Sequence, residues 1–361
     1  MQTSTFFRAA LLLIGALLIS ACGGQVLGTS WPNMSVEGNT LYIANNDSVH
    51  AINIQNGTSR WQFPREANNV ATQFYAEPTL TDNLVVVSSF NQLAFALDQQ
   101  GAIQWEFDGE PVRTTTAPSA TSSAHGFTYL VSGETLFALN LENGVEAWQF
   151  NADNSLWGPP SSNDDLLFLP SMDHILYALD PATGTEVWQQ EFEGALASIP
   201  TQEAGILYVG SLSNNVYAVD AATGSLRWKA QTNDWVWSSP TIQGDRLYFG
   251  DLSGTVYAVE AETGRGIWTA NLDSAIRGAT AVSVDGAVFV NSEEGFVYSI
   301  DADTGALNWQ VEIDPETGER LLSNPVLADD LVLIAALNGT HLVYAYNQST
   351  GALVWQFDPD R

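Results

Sequence analysis

Short apolar segments of four to six residues, separated by Gly, Asp, Asn or Ser, recur along the chain after residue 21. The clearest unit occupies residues 239–242, 246–250, 255–260 and 265–268, which are rich in β-branched and aromatic side chains. Segments of this length and composition are typical of β-strands. No apolar period of 3.6 residues persists long enough to predict a helix beyond residue 21. The pattern therefore predicts an all-β chain built from units of four strands.

A tryptophan closes each unit, and the steps between successive tryptophans run from 40 to 46 residues. This period lies in the range of a propeller blade, so the repeat predicts an eight-bladed β-propeller with four antiparallel strands per blade. A buried indole covers roughly 150–250 Å², enough to join one blade to the next, and we interpret all eight as structural docking residues. They are Trp61, Trp105, Trp148, Trp188, Trp228, Trp268, Trp309 and Trp355.

A turn pattern recurs before the predicted outer strand of several repeats. The sequence Asp-Pro-Ala-Thr-Gly at residues 180–184 is echoed at 220–224, 260–264 and 301–305. The acidic side chain can accept hydrogen bonds from the turn backbone, and the glycine supplies a positive φ. The pair Asp301 and Asp303 could also suggest a calcium site, but the repeats at 180–184 and 220–224 keep the turn without the second carboxylate. The pattern therefore favours a turn.

A residue 27–30 positions before each tryptophan opens the predicted inner strand, and it is proline in seven of the eight repeats. Proline fits a strand start, where no N–H donor is required. These residues are Pro32, Pro78, Pro118, Pro160, Pro200, Pro240, Thr280 and Pro325.

The loops that enter these inner strands and the loops that join second to third strands should surround one end of the propeller axis. Function is commonly carried by loops on a rigid scaffold. Aromatic and arginine side chains, which dominate interface energetics, occur at this predicted mouth, and arginines there could steer an acidic partner. The candidates for the funnel and partner face are Tyr75, Trp157, Trp237, Arg277, Arg65, Arg113, Arg320 and Asp251, with Ser171, Ser211 and Asn291 beside the same opening. The alternative is that the aromatic residues fill the channel and contact only each other.

Charge narrows the range of partners. The chain has 41 acidic and 11 basic residues and a net charge of −30, which excludes nucleic-acid binding through phosphate neutralisation and opposes a basic surface for anionic lipid. Such a surface favours solubility outside the cytoplasm. Lys229 is the single lysine, a scarcity that adaptation to a salty habitat would also produce.

The first 30 residues predict export and anchoring. Arg8 precedes an apolar run at residues 9–19, too short to span a bilayer, and small residues follow it. Residues 18–22 resemble a bacterial lipobox, and Cys22 is the single cysteine of the chain. We therefore expect a lipoprotein signal peptide at 1–21, a lipidated tether at 22–30 and the propeller at 31–361. An ordinary signal peptide with a coincidental cysteine is the alternative.

The recurring string Leu/Val-Tyr-Ala-Leu/Val-Asp-x-x-Thr-Gly-x-x-x-Trp resembles the tryptophan-docking repeat of pyrroloquinoline-quinone-type propellers. Two groups share that repeat: quinoprotein alcohol dehydrogenases, and non-enzymatic propellers such as the BamB lipoproteins of the outer-membrane β-barrel assembly machinery. The layout of this chain is similar to the second group. That resemblance implies a location in the bacterial cell envelope, at the outer membrane if the organism has one and otherwise on the outer face of the cell membrane.

Catalysis is not expected. The dehydrogenases add long insertions and typically a vicinal disulfide over the quinone, whereas this chain has Cys22 and short loops. Its four histidines, His50, His125, His174 and His341, lie in unrelated repeats. We therefore predict no catalytic residues, no metal and neither pyrroloquinoline quinone nor calcium. The expected protein is a monomeric, membrane-anchored scaffold for protein partners; the alternatives are an extracytoplasmic small-molecule sensor that uses the funnel, or a quinone-dependent oxidoreductase.

Overall fold

The computed structural model describes residues 33–64, 73–74, 76–89, 93–108, 120–272, 274–315, 320–337 and 340–359. Over these ranges the chain forms eight sheets of four antiparallel strands, each built from four consecutive strands. The predicted all-β, eight-bladed propeller is confirmed. None of the described segments is a helix of the length and apolarity needed to cross a membrane.

The strands follow the chain from the inner to the outer edge of each blade. Blades 1 to 4 comprise β1 (Met34–Glu37), β2 (Thr40–Asn45), β3 (Ser48–Asn53), β4 (Ser59–Phe63); β5 (Thr79–Leu80), β6 (Leu84–Ser88), β7 (Leu93–Asp98), β8 (Ile103–Asp108); β9 (Ala120–Ala124), β10 (Phe127–Ser132), β11 (Thr135–Asn140), β12 (Glu146–Asn151); β13 (Ser161–Ser162), β14 (Leu167–Pro170), β15 (Ile175–Leu179) and β16 (Glu186–Glu191). Blades 5 to 8 comprise β17 (Thr201–Glu203), β18 (Ile206–Ser211), β19 (Asn215–Asp220), β20 (Leu226–Gln231); β21 (Thr241–Gln243), β22 (Arg246–Gly250), β23 (Thr255–Glu260), β24 (Gly266–Asn271); β25 (Ala281–Val282), β26 (Ala287–Asn291), β27 (Phe296–Asp301), β28 (Leu307–Glu312); β29 (Val326–Ala328), β30 (Leu331–Ala335), β31 (Val343–Asn347) and β32 (Leu353–Phe357).

The hydrophobic core lies between blades. The second and third strands of a blade are buried on both faces, as in β18, whose six residues are all buried. Continuous apolar runs suit such strands because both sides contact a neighbouring sheet. The buried apolar residues form eight clusters, one at each contact between adjacent blades. The blades therefore surround a common axis in a closed ring.

Each repeat tryptophan docks onto the next blade. Its indole Nε1 donates a hydrogen bond of 2.6–3.2 Å to a carbonyl in the turn between the third and fourth strands of that blade. The turn glycine lies against the ring: at Gly264, a Cβ would lie 2.6 Å from an atom of Trp228, and φ is +69°. Glycine is therefore required for two reasons, the left-handed backbone and the close approach of the indole.

A β-bulge directs the tryptophan toward that turn. In blade 6, Trp268 on the outer strand is paired with Ala258, and the register shifts between Ala258 and Val259. The same shift occurs beside the tryptophan in all eight blades. A bulge increases local twist and redirects a side chain, and the small partner residue leaves room for the indole.

The ring closes without exchange of a strand. Blade 1 contains β1 to β4 and blade 8 contains β29 to β32. Trp355 of blade 8 donates to the carbonyl of Ile54 in blade 1 at 2.6 Å and faces Gly57. The contact between the first and last blades therefore uses the same docking as the other seven.

The acidic turns are held by local hydrogen bonds. Oδ1 of Asp301 accepts bonds from the backbone N–H and the hydroxyl of Thr304, at 2.8 and 2.7 Å. The Thr304 hydroxyl, followed by the backbone donors, lowers the pKa of Asp301. Asp303 instead pairs with Arg246 of the preceding blade at 2.6 Å. The two carboxylates have separate partners, which supports a turn over a shared calcium site.

Candidate functional site: the axial channel and its mouth

The loops that enter the inner strands and the loops that join second to third strands lie on one face of the propeller. The loop between blades 4 and 5 is bonded to the second-to-third strand loops on either side: Leu196 N–H donates to the Ser171 carbonyl at 3.1 Å, and Leu212 N–H donates to the Ala195 carbonyl at 3.0 Å. Similar bonds recur at the next blades. These loops are therefore linked to one another around the axis, which gives the face a fixed shape.

An axial channel of about 810 Å³ opens among these loops and the inner strands. Residues from all eight blades line it, including β1, β5 and β29 and the loops that precede β13, β17, β21 and β25. Its size lies within the range of small-molecule sites, roughly 300–1,000 Å³. The lining is mixed: apolar side chains and backbone predominate, with a few hydroxyl groups, two asparagines, one glutamate and one arginine.

Three predicted residues meet in the channel. Trp157 and Trp237 contact each other edge to face, with ring centroids 5.7 Å apart and an angle of 67°. They come from the loops before blades 4 and 6, and the intervening loop contributes Ala197, whose small side chain allows the indoles to approach. The guanidinium carbon of Arg277 lies 5.2 Å from the centroid of Trp237, within the range of a cation–π contact. The mouth thus carries an aromatic and cationic cluster whose members do contact each other.

Glu293 links this cluster to Arg320. Its Oε1 binds Nε of Arg277, and its Oε2 lies 3.2 Å from Nη2 of Arg320. The two guanidinium groups share this carboxylate, which links the loop before blade 7 to the loop before blade 8. The Arg320 side chain is half-exposed, so this ion pair reaches solvent at the loop face.

The structure corrects the expected position of Asp251. Its side chain is fully buried and accepts six hydrogen bonds, including 2.8 Å from the Tyr257 hydroxyl and 3.0 and 3.1 Å from the backbone N–H groups of Asn233 and Asp234. It therefore holds the loop that carries Trp237 instead of facing the opening. The other polar residues expected beside it are also buried: Ser171, Ser211 and Asn291.

Several predicted residues fall outside the part of the chain that the structure describes. They are Tyr75, Arg65, Arg113 and Cys22, together with the segments 1–21 and 22–30 and the strand markers Pro32 and Pro118. Their roles stay predictions.

Sequence reasoning did not select three residues that the structure places at this face. Trp235 is 43% exposed and lies two residues before Trp237 in the same loop. Glu293 forms the bridge described above, and Glu77 lines the channel. Trp235 has a sequence signal, since it is a tryptophan outside the repeat register. The two glutamates have none in a chain with 41 acidic residues.

Glu77 is the carboxylate of the channel. It contacts solvent in the channel, yet protein atoms surround it, and its Oε1 accepts a 3.1 Å hydrogen bond from the Ser35 hydroxyl. Burial raises the pKa of Glu77 from 4.5 to about 7, and the Ser35 hydrogen bond opposes this shift only in part. Glu77 as a whole is exposed to the channel, so water there screens part of this desolvation.

We expect Glu77→Gln to stabilise the protein at pH 8. Because the folded pKa is raised, the folded state binds a proton more tightly between pH 4.5 and 7, so the stability contributed by protonated Glu77 is lost as the pH rises through 7. Removing the ionisable group should raise the free energy of unfolding at pH 8 by roughly 1 kcal/mol, a value reduced for solvent screening. Urea unfolding at pH 8 and pH 4.5 measures this difference, which should vanish at the lower pH.

Glu186→Gln is the matched control, since Glu186 is an exposed carboxylate on the outer strand of blade 4. An advantage of Glu77→Gln that is equal at both pH values would show that Glu77 ionises normally in the folded protein.

The described residues do not fit a catalytic metal. They contain no group of three or more His, Cys, Asp or Glu side chains able to hold a metal ion. Glu77 is the one carboxylate among the channel residues, whereas calcium takes six to eight oxygen ligands. The histidines are dispersed: His50 is buried against Phe357, and Nε2 of His125 lies 2.8 Å from the Asn163 carbonyl. The absence of pyrroloquinoline quinone and calcium stays a prediction.

Comparison with solved structures identifies the same architecture in proteins of different function. The crystal structure of BamB from Moraxella catarrhalis has a TM-score of 0.70 at 20% identity, over 87% of this chain and 92% of that one. The computationally designed protein Ika8 has a TM-score of 0.75 at 16% identity, over 88% and 96%. A europium-containing methanol dehydrogenase has a TM-score of 0.67 at 13% identity, over 84% and 81%. At these identities the likeness establishes the fold.

Sequence comparison is more specific. Among curated proteins no relative matches. Residues 20–155, 171–265 and 252–361, however, match the sequence profile of a family described as "Outer membrane protein assembly factor BamB". These matches cover nearly the whole chain, and the protein therefore belongs to that family.

Proposed function

We propose that this protein is a non-catalytic scaffold of the bacterial cell envelope that assists the assembly of outer-membrane proteins. The family to which the chain belongs supports this role. The observation that carries it is the loop face, where Trp235 is exposed beside the cluster of Trp237, Arg277, Glu293 and Arg320 on a closed, rigid ring. Exposed aromatic and arginine side chains on a fixed surface are the usual anchors of a protein partner.

The partner of this proposal is an acidic or mixed-charge segment of an envelope protein. Arg277 and Arg320 place two basic side chains at the mouth of a propeller whose net charge is −30, and basic groups at such a position would steer an acidic segment toward the mouth. Anchoring through a lipid on Cys22, with 1–21 removed and 22–30 as tether, belongs to the same proposal and would hold the monomeric propeller at the membrane where such partners are found.

The test is recovery of the partner by the full chain. The lipidated protein, expressed in a bacterium with an outer membrane and cross-linked in intact cells, is expected to recover components of the β-barrel assembly machinery. Trp235→Ala combined with Arg320→Glu should reduce that recovery at least tenfold, since loss of one interface anchor costs about 2 kcal/mol or more. The yield of cross-linked partner is the measurement.

The control is Val284→Ala. Val284 is 94% exposed in the hairpin between β25 and β26, away from the loops of the mouth. If the variant with Trp235→Ala and Arg320→Glu recovered as much partner as the control, the partner would bind elsewhere on the propeller, such as at a blade edge. Recovery of no assembly component by the wild-type protein would contradict the scaffold role.

A quinone-dependent oxidoreductase is the alternative function, and the fold shared with a methanol dehydrogenase is the observation that favours it. Incubation of the protein with pyrroloquinoline quinone and either calcium or a lanthanide, followed by dye-linked alcohol oxidation, separates the two. Turnover that depends on the protein would overturn the non-catalytic assignment.

A further inference from the structure

The part of the chain that the structure describes begins at the mouth of the propeller. Asn33 lines the axial channel, and its Oδ1 accepts a 3.1 Å hydrogen bond from the N–H of Asn324 in the loop before blade 8. Met34 opens β1 and is paired with Ile43, close to the end of β2, after which the chain enters a second-to-third strand loop. The residues that precede Asn33 therefore join the propeller near its axis, on the face that carries the mouth.

The chain between this point and the predicted lipid site is short. Residues 22–32 lie outside the described part of the chain, but their number sets a limit, since a fully extended chain of this length spans at most about 40 Å. To bring the opposite face to the bilayer, they would have to cross a blade of four strands, about 14 Å wide, and then follow a six-residue strand, about 20 Å long. That path requires almost full extension, which is entropically unfavourable. A mouth turned toward the bilayer requires none.

The mouth is suited to a protein at the membrane better than to the lipid itself. Trp235 is 43% exposed in the loop before blade 6, on the same face as Asn33, and an exposed tryptophan is a common anchor of a protein interface. The net charge of −30 opposes adsorption of the propeller on an anionic bilayer. The polar parts of membrane-embedded proteins are therefore the surfaces that a mouth held near the bilayer can bind.

We propose that the lipid tether holds the propeller with its mouth toward the membrane, so that the partner bound there is the membrane-proximal, polar part of a membrane-embedded protein. The orientation rests on the lipid anchor of the proposed function and adds a direction to it. The limit on the tether confines the bound segment to within about 40 Å of the bilayer surface. Domains that lie farther from the membrane are out of reach of the mouth.

Energy transfer from a labelled side chain to acceptor lipids measures the orientation. Cys22 is the single cysteine of the chain and would carry the lipid, so an introduced cysteine can be labelled alone. Asn154→Cys places a fluorophore on an exposed residue of the loop before blade 4, and Val284→Cys places it on the opposite face, where Val284 is 94% exposed.

The lipidated full chain is reconstituted in phosphatidylcholine vesicles that contain a small fraction of phosphatidylethanolamine labelled on its headgroup. Transfer from position 154 is expected to be at least twice that from position 284, since the two lie about 20 Å apart along the axis. Equal transfer, or more from 284, would overturn the orientation. Insertion of about 30 Gly and Ser residues after Thr29, which removes the length limit, should bring the two values together. A difference that persists would show that the tether does not orient the propeller.

Cys22→Ser separates failure of the orientation from failure of the anchor. The wild-type chain is expected to enter the detergent phase in detergent phase separation, and the variant is expected to stay in the aqueous phase. If both stay in the aqueous phase, Cys22 carries no lipid, and the anchor and the orientation are contradicted together. If the wild-type chain is lipidated but positions 154 and 284 give equal transfer, the orientation alone is wrong, and recovery of assembly components by cross-linking can still support the scaffold.

Discussion

Replacement of Trp355 by alanine is expected to open the ring between blades 8 and 1. The change removes an indole that is 9% exposed, its 2.6 Å hydrogen bond to the Ile54 carbonyl and its contact with Gly57. Large-to-small substitutions of aromatic core residues lower the free energy of unfolding by about 3–5 kcal/mol, since a cavity is added to the lost burial. Equilibrium unfolding in urea measures this loss.

We expect the loss of stability to be larger for Trp355 than for the tryptophans at the other contacts between blades, because of its position in the ring. At the other seven contacts the polypeptide passes from one blade to the next, so the blades stay neighbours after one side chain is lost. Between blades 8 and 1 the link is noncovalent and includes the cluster around Trp355, the ring contact of His50 with Phe357, and the hydrogen bond from Asn324 N–H to Asn33 Oδ1 at 3.1 Å. In a ring of repeats, stability is the sum of blade and contact terms.

Trp228→Ala is the matched control, because Trp228 makes the same docking contacts within the ring, with a 3.0 Å bond to the Ala261 carbonyl. Hydrogen exchange should accelerate in β1, β2, β30 and β31 of the Trp355 variant, whereas in the Trp228 variant the change should be confined to blades 5 and 6. Equal exchange in the terminal blades of both variants would show that closure does not depend on the Trp355 contact.

The repeat made the fold predictable down to individual strands where both faces are buried. In blade 6 the predicted segments 246–250 and 255–260 coincide with β22 and β23, because a buried apolar run bounded by turns has definite ends. The edge strands deviate. The inner strand β21 covers three residues where the pattern predicted the four residues 239–242, and the outer strand β24 extends three residues beyond Trp268 to Asn271. Edge residues alternate between contact and solvent, so their composition does not mark where pairing stops.

Residues of the site were predictable where they occupy equivalent positions in successive repeats. Trp157, Trp237 and Arg277 stand at equivalent positions of three repeats, and equivalent positions converge on the axis. Asp251 was misplaced because its burial depends on contacts from Asn233 and Asp234, in a loop whose path the repeat does not specify. Glu77 and Glu293 were not foreseen for a similar reason, since only the three-dimensional arrangement distinguishes a channel carboxylate from one on the surface.

The largest effect on the mouth is expected from Asp251→Ala. The substitution would leave four backbone N–H groups and the hydroxyls of Ser253 and Tyr257 without their acceptor inside a buried loop junction. Loss of a buried charged acceptor lowers the free energy of unfolding by about 3–5 kcal/mol. Because Asp251 fixes the segment that leads to Trp237, partner recovery through the mouth should fall as well. Urea unfolding and the cross-linking yield are the two measurements.

Asp251→Ser separates the two parts of this role. Serine occupies the same position in blade 5, where the hydroxyl of Ser211 accepts from Ser213 N–H at 3.3 Å and donates to the Asn215 carbonyl at 3.1 Å. A serine at 251 can therefore restore the bonds within its own hairpin, but it is too short to reach the backbone N–H groups of the loop before blade 6. We expect it to recover part of the lost stability and little of the lost partner binding. If the serine variant regained both, Asp251 would stabilise only its hairpin, and the orientation of Trp237 would have to come from its contacts with Trp157 and Arg277.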